Sequence, residues 1–323
     1  MHQLLPSSSP SNQRIVYFRL LASAVFLILF MAQCQSQFRP PEVEITEADT
    51  VGYGFIRQDD NVIQQCQHLA PVFAKLYEQR IRGGKKINIV HIGDSHILGN
   101  FLTREVRERL QHAFGDAGRG MIFPYKLAGS NGPKDYLVET NARWNGASCQ
   151  RDLDEQTPFG ASGFTLETAN SKAELTFRLR DTVTSEMQMF TKVTILQYHT
   201  VGEYDLEVRD EVSNQKAQLY LEGDYARSYY FDRPVGQMTV AAKRTNAQQK
   251  AFSLDGVSLE NELSGVIYHS IGVNGAKFQD YVRAAYFAKQ VAELQPDLII
   301  LSLIHISEPT RLRRISYAVF CLK

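Results

Sequence analysis

The sequence predicts an α/β fold in which a parallel sheet is interrupted by an inserted antiparallel β-sandwich. A short β-branched strand at residues 87–92 is followed by a tight turn and an amphipathic segment, which is how an α/β domain begins. Residues 160–263 instead contain short alternating strands with no helical pattern between them, as in a sandwich of about 100 residues. After Gly265 the order of strand, helix and strand returns.

The elements follow from hydrophobic periodicity. Three- and four-residue spacing predicts helices at 61–82, 98–114 and 278–294, the first ended by Gly83 and Gly84. Apolar β-branched runs predict buried strands at 87–92, 266–271 and 297–301. The sandwich strands are expected at 173–179, 193–198, 204–208, 217–221, 228–231, 238–242 and 252–259.

The N-terminus carries an export pattern. Arg14 and Arg19 precede an apolar run at 20–32, which fits a signal-peptide core and is short for a membrane span of about 20 residues. Residues 1–37 are therefore predicted to be a signal peptide and leader, and the protein is expected in the periplasm or cell envelope. An uncleaved membrane anchor is the alternative. Lipidation of Cys34 is a further route to membrane attachment, although Gln33 is a poor residue before such a cleavage site.

The remaining cysteines are Cys66 and Cys149, apart from one in the C-terminal tail. An exported location permits a disulfide between them, and two buried free thiols are equally compatible with the sequence. The cysteines and the eight histidines show no metal-ligand spacing, so neither a metal nor another cofactor is expected.

The C-terminal tail, residues 301–323, resembles the in-frame translation of a transposase-based sequencing adapter. Two adapter-like blocks flank Leu312, Arg313 and Arg314, which have the length of a sample index. We therefore expect the natural α/β domain to continue differently after Ile300, and we expect the 323-residue chain to be C-terminally truncated. The alternative is a genuine C-terminal strand at 315–322. Omitting residues 1–37 and the tail removes six basic residues and one acidic residue, and the net charge of about −5 gives no reason to expect nucleic-acid binding.

The strand that ends in Gly93, Asp94, Ser95 and His96 resembles the first block of the SGNH/GDSL hydrolases. The later run Phe114-Gly-Asp-Ala-Gly-Arg-Gly120 is similar to the branch that contains peptidoglycan O-acetylesterases, which carry a carbohydrate-binding-module-like β-sandwich. The resemblance covers about residues 86–300. It implies a flavodoxin-like parallel sheet, with hydrolase segments at 38–159 and 264–300 and the inserted sandwich at 160–263.

The resemblance implies that Ser95 is the nucleophile and that its backbone N–H helps to bind the oxyanion. A serine between a parallel strand and a helix stands at the edge where such sheets bind ligands. The alternative is an ordinary helix N-cap. Asp94 is expected to stabilise the turn, and His96 to lie at the helix entry and the wall of the site.

A second block, residues 268–276, is similar to the family segment whose glycine gives an N–H to the oxyanion. Its position selects Gly275 over Gly272, and a glycine suits a loop that approaches the substrate closely because it adopts positive φ without steric cost. The alternative is a plain turn. After the strand at 297–301 the family continues into a Gly-x-Asn motif, which supplies a further donor, and later into an Asp-x-x-His motif, which supplies the acid and the base. Neither motif follows Ile300 here, so this chain is expected to be inactive. His305 has Ser302 three residues before it and receives no role; His199 and His269 are expected to be core or surface histidines.

The resemblance implies an exported serine esterase that removes O-acetyl groups from peptidoglycan or another envelope polysaccharide. One alternative is a glycan-binding envelope protein with an inactive α/β scaffold, and another is acyl transfer between sugars. Several aromatic residues offer surfaces on which sugars can stack, but none is assigned to sugar contact individually. They are Trp144, Tyr198, Tyr204, Tyr225, Tyr229 and Tyr230.

Overall fold

A computed structural model of the protein describes residues 63–152, 158–180, 189–200 and 202–304, together with the backbone of 318–321. All of them belong to one compact unit that runs from Asp59 to Lys323. The predicted export signal, Cys34 and His305 lie outside the described residues. Among the helices of the described ranges, none is long and apolar enough to cross a membrane.

The elements are as follows in chain order. A short 3-10 helix, Cys66–Leu69, precedes five α-helices: α1 Ala70–Arg82, α2 Ser95–Leu98, α3 Phe101–Phe114, α4 Phe278–Arg283 and α5 Phe287–Glu293. The first eight strands are β1 Lys86–Gly93, β2 Gly120–Ile122, β3 Tyr136–Thr140, β4 Asn145–Ser148, β5 Phe164–Thr168, β6 Lys172–Leu179, β7 Phe190–Leu196 and β8 Asp205–Asp210. The other eight are β9 Gln218–Glu222, β10 Ala226–Val235, β11 Gln237–Lys243, β12 Phe252–Leu254, β13 Gly256–Glu260, β14 Gly265–Gly272, β15 Leu298–Ser302 and β16 Ala318–Cys321.

The α/β part is built on a sheet with the strand order β14-β1-β15-β16. Strand β1 runs parallel to both of its neighbours, and Gly93 at its end lies opposite Gly272 of β14 and Ser302 of β15. Every residue of β14 is buried, as expected for a parallel strand covered on both faces. The carboxyl ends of the three parallel strands therefore meet at one edge of the sheet.

Strand β16 pairs antiparallel with β15. Its residues belong to the tail that resembles adapter sequence. They also lie within residues 315–322, which the alternative interpretation assigns to a genuine C-terminal strand. Because any short strand-forming segment can pair with an open sheet edge, this pairing does not test the origin of the tail, and the adapter interpretation stays a prediction.

The antiparallel strands form three sheets, with the orders β2-β13-β7-β10-β9, β3-β6-β11-β8 and β12-β5-β4. The predicted combination of a parallel α/β sheet with antiparallel sheets is thus confirmed. The antiparallel strands begin at Gly120, however, earlier than the expected boundary at 160. Strands β2 to β4 have only three to five residues each, so they show too little alternation to be recognised in the sequence.

Three predicted elements are interrupted. The strand expected at 252–259 breaks at Asp255, because β12 pairs with β5 whereas β13 pairs with β7 in another sheet. The helix expected at 278–294 breaks at Ala284, whose backbone is extended. The helix expected at 98–114 begins as α3 only after Asn100, which has a left-handed φ of 60°.

The first predicted helix also begins late. Within the described part of the expected range 61–82, α-helix starts at Ala70, and Pro71 occupies the first turn. A proline is tolerated there because the first N–H groups of a helix have no intrahelical acceptor.

A buried ion cluster connects α3 to the antiparallel part. The Asp135 carboxylate accepts hydrogen bonds from Arg119 Nε at 2.7 Å and from Arg107 Nη2 at 3.0 Å. All three side chains are buried. Burial by itself would raise the pKa of Asp135, but the charges and hydrogen bonds of the two arginines outweigh it and lower that pKa to about 2.

Candidate active site

The turn after β1 is held together by Asp94. Its Oδ1 accepts a hydrogen bond from the backbone N–H of His96 at 3.1 Å, and its Oδ2 accepts one from the N–H of Ile304 at 2.7 Å. The side chain is buried and caps α2. The turn-stabilising role predicted for Asp94 is therefore confirmed, and the contact with Ile304 also ties the turn to the chain that follows β15.

Ser95 is the first residue of α2, and it is exposed. In this position its backbone N–H has no acceptor within the helix, so the N–H can serve a bound group. The hydroxyl lies where a parallel strand ends, which is the edge at which ligands bind in open α/β sheets. The predicted N-cap alternative is wrong, because Asp94 is the residue that caps this helix.

Gly272 lets α2 approach β14 closely. A Cβ atom at this position would overlap the backbone nitrogen of Leu98 and would lie 2.8 Å from the carbonyl oxygen of Asp94. Those are backbone atoms, so they cannot move away without displacing the turn that carries Ser95. The structure thus gives Gly272 a packing role.

The loop after β14 places Gly275 at the same edge of the sheet as Ser95. The N–H of Val273 donates to the carbonyl oxygen of Gly93 at 3.3 Å, which anchors the loop to the end of β1. Gly275 is exposed and has a φ of +70°. This is the left-handed backbone conformation that glycine adopts without steric cost, as expected for this position. Its neighbour Asn274 donates to Asn131 Oδ1 at 2.6 Å.

Tyr281 supports both loops, and the sequence analysis did not identify it. Its hydroxyl donates to the carbonyl oxygen of Gly93 at 2.6 Å, so helix α4 braces the end of β1. The two residues are 188 positions apart in the chain. A tyrosine in an amphipathic pattern carries no sign of such a distant contact, and only a family alignment or a structure would reveal it.

The histidines divide into buried and accessible ones. His91 and His269 are buried, and burial lowers the pKa of each to about 4. His199 contacts Arg227 in the antiparallel part. The expectation that His199 and His269 are core or surface residues is therefore confirmed. His96 is exposed beside Ser95 at the helix entry, as predicted, and no histidine within the described ranges donates to or accepts from the Ser95 hydroxyl.

The cysteines and the aromatic candidates are also located. Cys66 and Cys149 are both free thiols, so the alternative with a disulfide is wrong. The alternative of two buried thiols holds for Cys149 only, because Cys66 is exposed. Tyr204 and Tyr229 belong to the core. Trp144 packs edge-on against Phe252, with ring centroids 6.0 Å apart.

Comparison with known proteins gives support at the level of structure alone. No family model and no curated protein matches the chain. Its fold is similar to that of the solved structure "Peptidoglycan O-acetylesterase in action, 5 min", with a TM-score of 0.55, 22% identity, and coverage of 75% of this chain. The match covers 63% of the other chain, which is less than two thirds of its length.

Two further structures match at low similarity. One is the family 32 carbohydrate-binding module from C. perfringens NanJ in complex with galactose, with a TM-score of 0.26, 9% identity and coverage of 44% of this chain and 97% of that one. The other is the family 32 module of AlyQ in complex with 4,5-unsaturated mannuronic acid, with a TM-score of 0.26, 15% identity and coverage of 38% and 92%. TM-scores this low do not establish a shared fold.

Proposed function

We propose that the protein is an exported serine esterase of the SGNH/GDSL type that removes O-acetyl groups from peptidoglycan or another envelope polysaccharide. The observation that carries this proposal is the exposed Ser95, which follows a buried parallel strand beside the positive-φ loop of Gly275. The fold similarity to a structure described as a peptidoglycan O-acetylesterase supports the substrate class. The signal-like N-terminus agrees with a substrate outside the cytoplasm.

In this mechanism the Ser95 hydroxyl attacks the ester carbonyl carbon and forms a tetrahedral intermediate. The backbone N–H groups of Ser95 and Gly275 donate to its oxyanion, the alcohol leaves, and an acyl-enzyme remains. Water then attacks the acyl carbon and releases acetate and the free serine. We assign the proton acceptor and its acidic partner to the family's Asp-x-x-His motif, which these 323 residues lack, so the 323-residue chain itself should be inactive.

Two alternatives give different products. An acyltransferase uses the same serine but passes the acetyl group to a sugar hydroxyl, so acetate is not released. A glycan-binding protein with an inactive scaffold neither releases nor transfers acetate. The test therefore measures acetate released from O-acetylated peptidoglycan by the protein expressed from its complete genomic locus, with de-O-acetylated peptidoglycan as the blank.

We expect Gly275→Ala to lower this rate of acetate release by about 10²- to 10³-fold, the usual effect of losing one oxyanion donor. The added Cβ meets no atom closer than 3.8 Å, but it disfavours the φ of +70° and shifts the N–H away from the oxyanion.

The matched control is Gly84→Ala. Gly84 has a φ of +77° and open surroundings, and it precedes the opposite end of β1. It should suffer the same backbone strain without loss of acetate release. Equal loss in both variants would assign the effect to stability, and full activity in Gly275→Ala would remove Gly275 from the proposed mechanism.

A further inference from the structure

A cavity lies away from the two loops described above. It has a volume of about 240 Å³, and its wall includes the acidic residues Glu167, Glu203 and Asp255 and the aromatic residues Tyr198 and Tyr286. No residue of its wall belongs to the turn of Ser95 or to the loop of Gly275. It is also smaller than the cavities of about 300–1,000 Å³ that hold drug-sized ligands, so it fits one small group.

The wall of this cavity is acidic, and the nearby cations have other partners. None of its residues is a lysine, arginine or histidine. The adjacent Arg227 forms an ion pair with Glu222 at 3.0 Å, and Lys289 donates to the hydroxyl of Tyr225 at 2.8 Å. The charge of Arg227 offsets part of the negative charge of Glu203, but no ion pair among the described residues involves Glu167, Glu203 or Asp255.

Asp255 is the buried member of the group. The side chain is 2% exposed, and its Oδ2 accepts a hydrogen bond from Gln290 at 2.6 Å. Its Oδ1 accepts no hydrogen bond of normal geometry among the described residues, and a side-chain hydrogen bond from Thr165 offsets only part of the effect of burial on the carboxyl group. A buried carboxylate oxygen without a donor is costly, and a ligand that brings a donor or a positive charge relieves that cost.

Glu203 faces the same cavity and is held in place by Ser253. Its two oxygens accept from the N–H and the hydroxyl of that residue, each at 3.1 Å. Burial raises the pKa of Glu203 to about 7, and burial together with the charge of Glu203 raises the pKa of Asp255 to about 7. Near neutral pH each of these carboxyl groups is therefore partly protonated, and a bound cation can replace its proton.

The aromatic side of the cavity suits a cation. Tyr198 and Tyr286 lie with ring centroids 4.5 Å apart, and Tyr225 stacks on Tyr198 at 5.5 Å. The ammonium group of Lys289 already lies 5.0 Å from the centre of the Tyr225 ring, so this cluster accepts positive charge at its outer side. Aromatic faces combined with carboxylates are typical of ammonium recognition.

We propose that the cavity between Asp255, Glu203 and Tyr286 binds the primary ammonium group of a ligand, such as that of an amino sugar or of a diamino acid. The ammonium group donates hydrogen bonds to Asp255 Oδ1 and lies against the tyrosine rings. A neutral hydroxyl or acetamido group fits this wall less well because it leaves the acidic charge uncompensated. This proposal does not depend on the proposed esterase activity.

The test is ligand-observed NMR titration of the protein at pH 7.5 with two matched pairs: glucosamine against N-acetylglucosamine, and lysine blocked at its α-amino group (Nα-acetyl-lysine) against Nα,Nε-diacetyl-lysine. We expect glucosamine, Nα-acetyl-lysine or both to bind at least about 10-fold more tightly than the counterpart whose free amine is acetylated. Binding of glucosamine alone identifies an amino sugar as the source, and binding of Nα-acetyl-lysine alone identifies a diamino acid. Equal affinity for an amine and its acetylated form, or no amine binding at all, would overturn the proposal.

The variant Asp255→Asn keeps the shape of the side chain and removes its charge. We expect it to weaken amine binding at least about 10-fold while the melting temperature stays the same or rises, because an unpaired buried charge is relieved. Glu203→Gln is the second variant if the first fails to fold, and the exposed Glu262→Gln is the control. Unchanged amine affinity in a folded Asp255→Asn or Glu203→Gln protein would contradict the proposal.

Discussion

Replacing Ser95 with alanine is expected to lower kcat/KM for 4-nitrophenyl acetate by about 10⁴-fold or more, because the variant loses the nucleophile on which both chemical steps depend. The residual rate comes from oxyanion stabilisation and binding alone. The melting temperature should not change, since Ser95 is exposed and Asp94, not Ser95, caps the turn. The kcat/KM values are measured on the protein expressed from its complete genomic locus, which is also the protein used in the acetate-release assay.

The control for this variant is Ser171→Ala. Ser171 is an exposed residue that precedes β6 in the antiparallel part, so the same chemical change is made away from the proposed site. We expect its kcat/KM to stay within about twofold of the unmodified protein. If Ser95→Ala retains full activity, the hydrolysis does not proceed through Ser95.

Replacing Asp135 with alanine is expected to lower the free energy of unfolding by about 3–5 kcal/mol, the usual result of breaking a buried ion pair. Arg107 and Arg119 are both buried, and each would keep its charge with its principal anionic partner removed. Urea denaturation at pH 7 measures this loss. The exposed pair of Glu139 and Arg178 is the control, and Glu139→Ala should change stability by about 1 kcal/mol or less.

The contribution of Asp135 should also depend on pH. Its pKa is about 2 in the folded protein, below the ordinary value of 3.8, so its stabilising effect is complete above about pH 4. The effect is lost as the pH falls from 4 towards 2, because the carboxylate then takes up a proton. The stability difference between the unmodified protein and Asp135→Ala should therefore shrink over this range. A difference that stays constant down to pH 2 would contradict the ion-pair explanation.

The sequence carried enough information for the α/β part that positions the candidate site. Strand β1, the turn at Ser95 and strand β14 follow from local patterns, because buried parallel strands are short apolar runs and their ends are marked by glycine and aspartate. The positive φ of Gly275 was anticipated for the same reason, since a loop that approaches a ligand favours glycine.

Features that depend on distant contacts were not predictable. The break at Asp255 arises because one extended segment changes from one sheet to another. The apolar positions change phase there, from Phe252 and Leu254 to Val257 and Leu259, but this shift alone does not say that the two halves pair in different sheets. Tyr281 reaches Gly93 across most of the chain. The acidic cavity combines residues from two strands, the loops beside them and the residue that precedes α5, and these residues form no motif in the sequence.

Covalent labelling tests the central claim, that Ser95 is the nucleophile of an esterase, most directly. The protein from the complete locus is treated with an alkyl fluorophosphonate, which reacts with activated serines, digested with trypsin and analysed by mass spectrometry. We predict one modified peptide, residues 87–104, with the phosphonyl group on Ser95 and with loss of acetyl ester hydrolysis in proportion to labelling. Labelling of a different serine, or hydrolysis that continues after Ser95 is fully modified, would contradict the account.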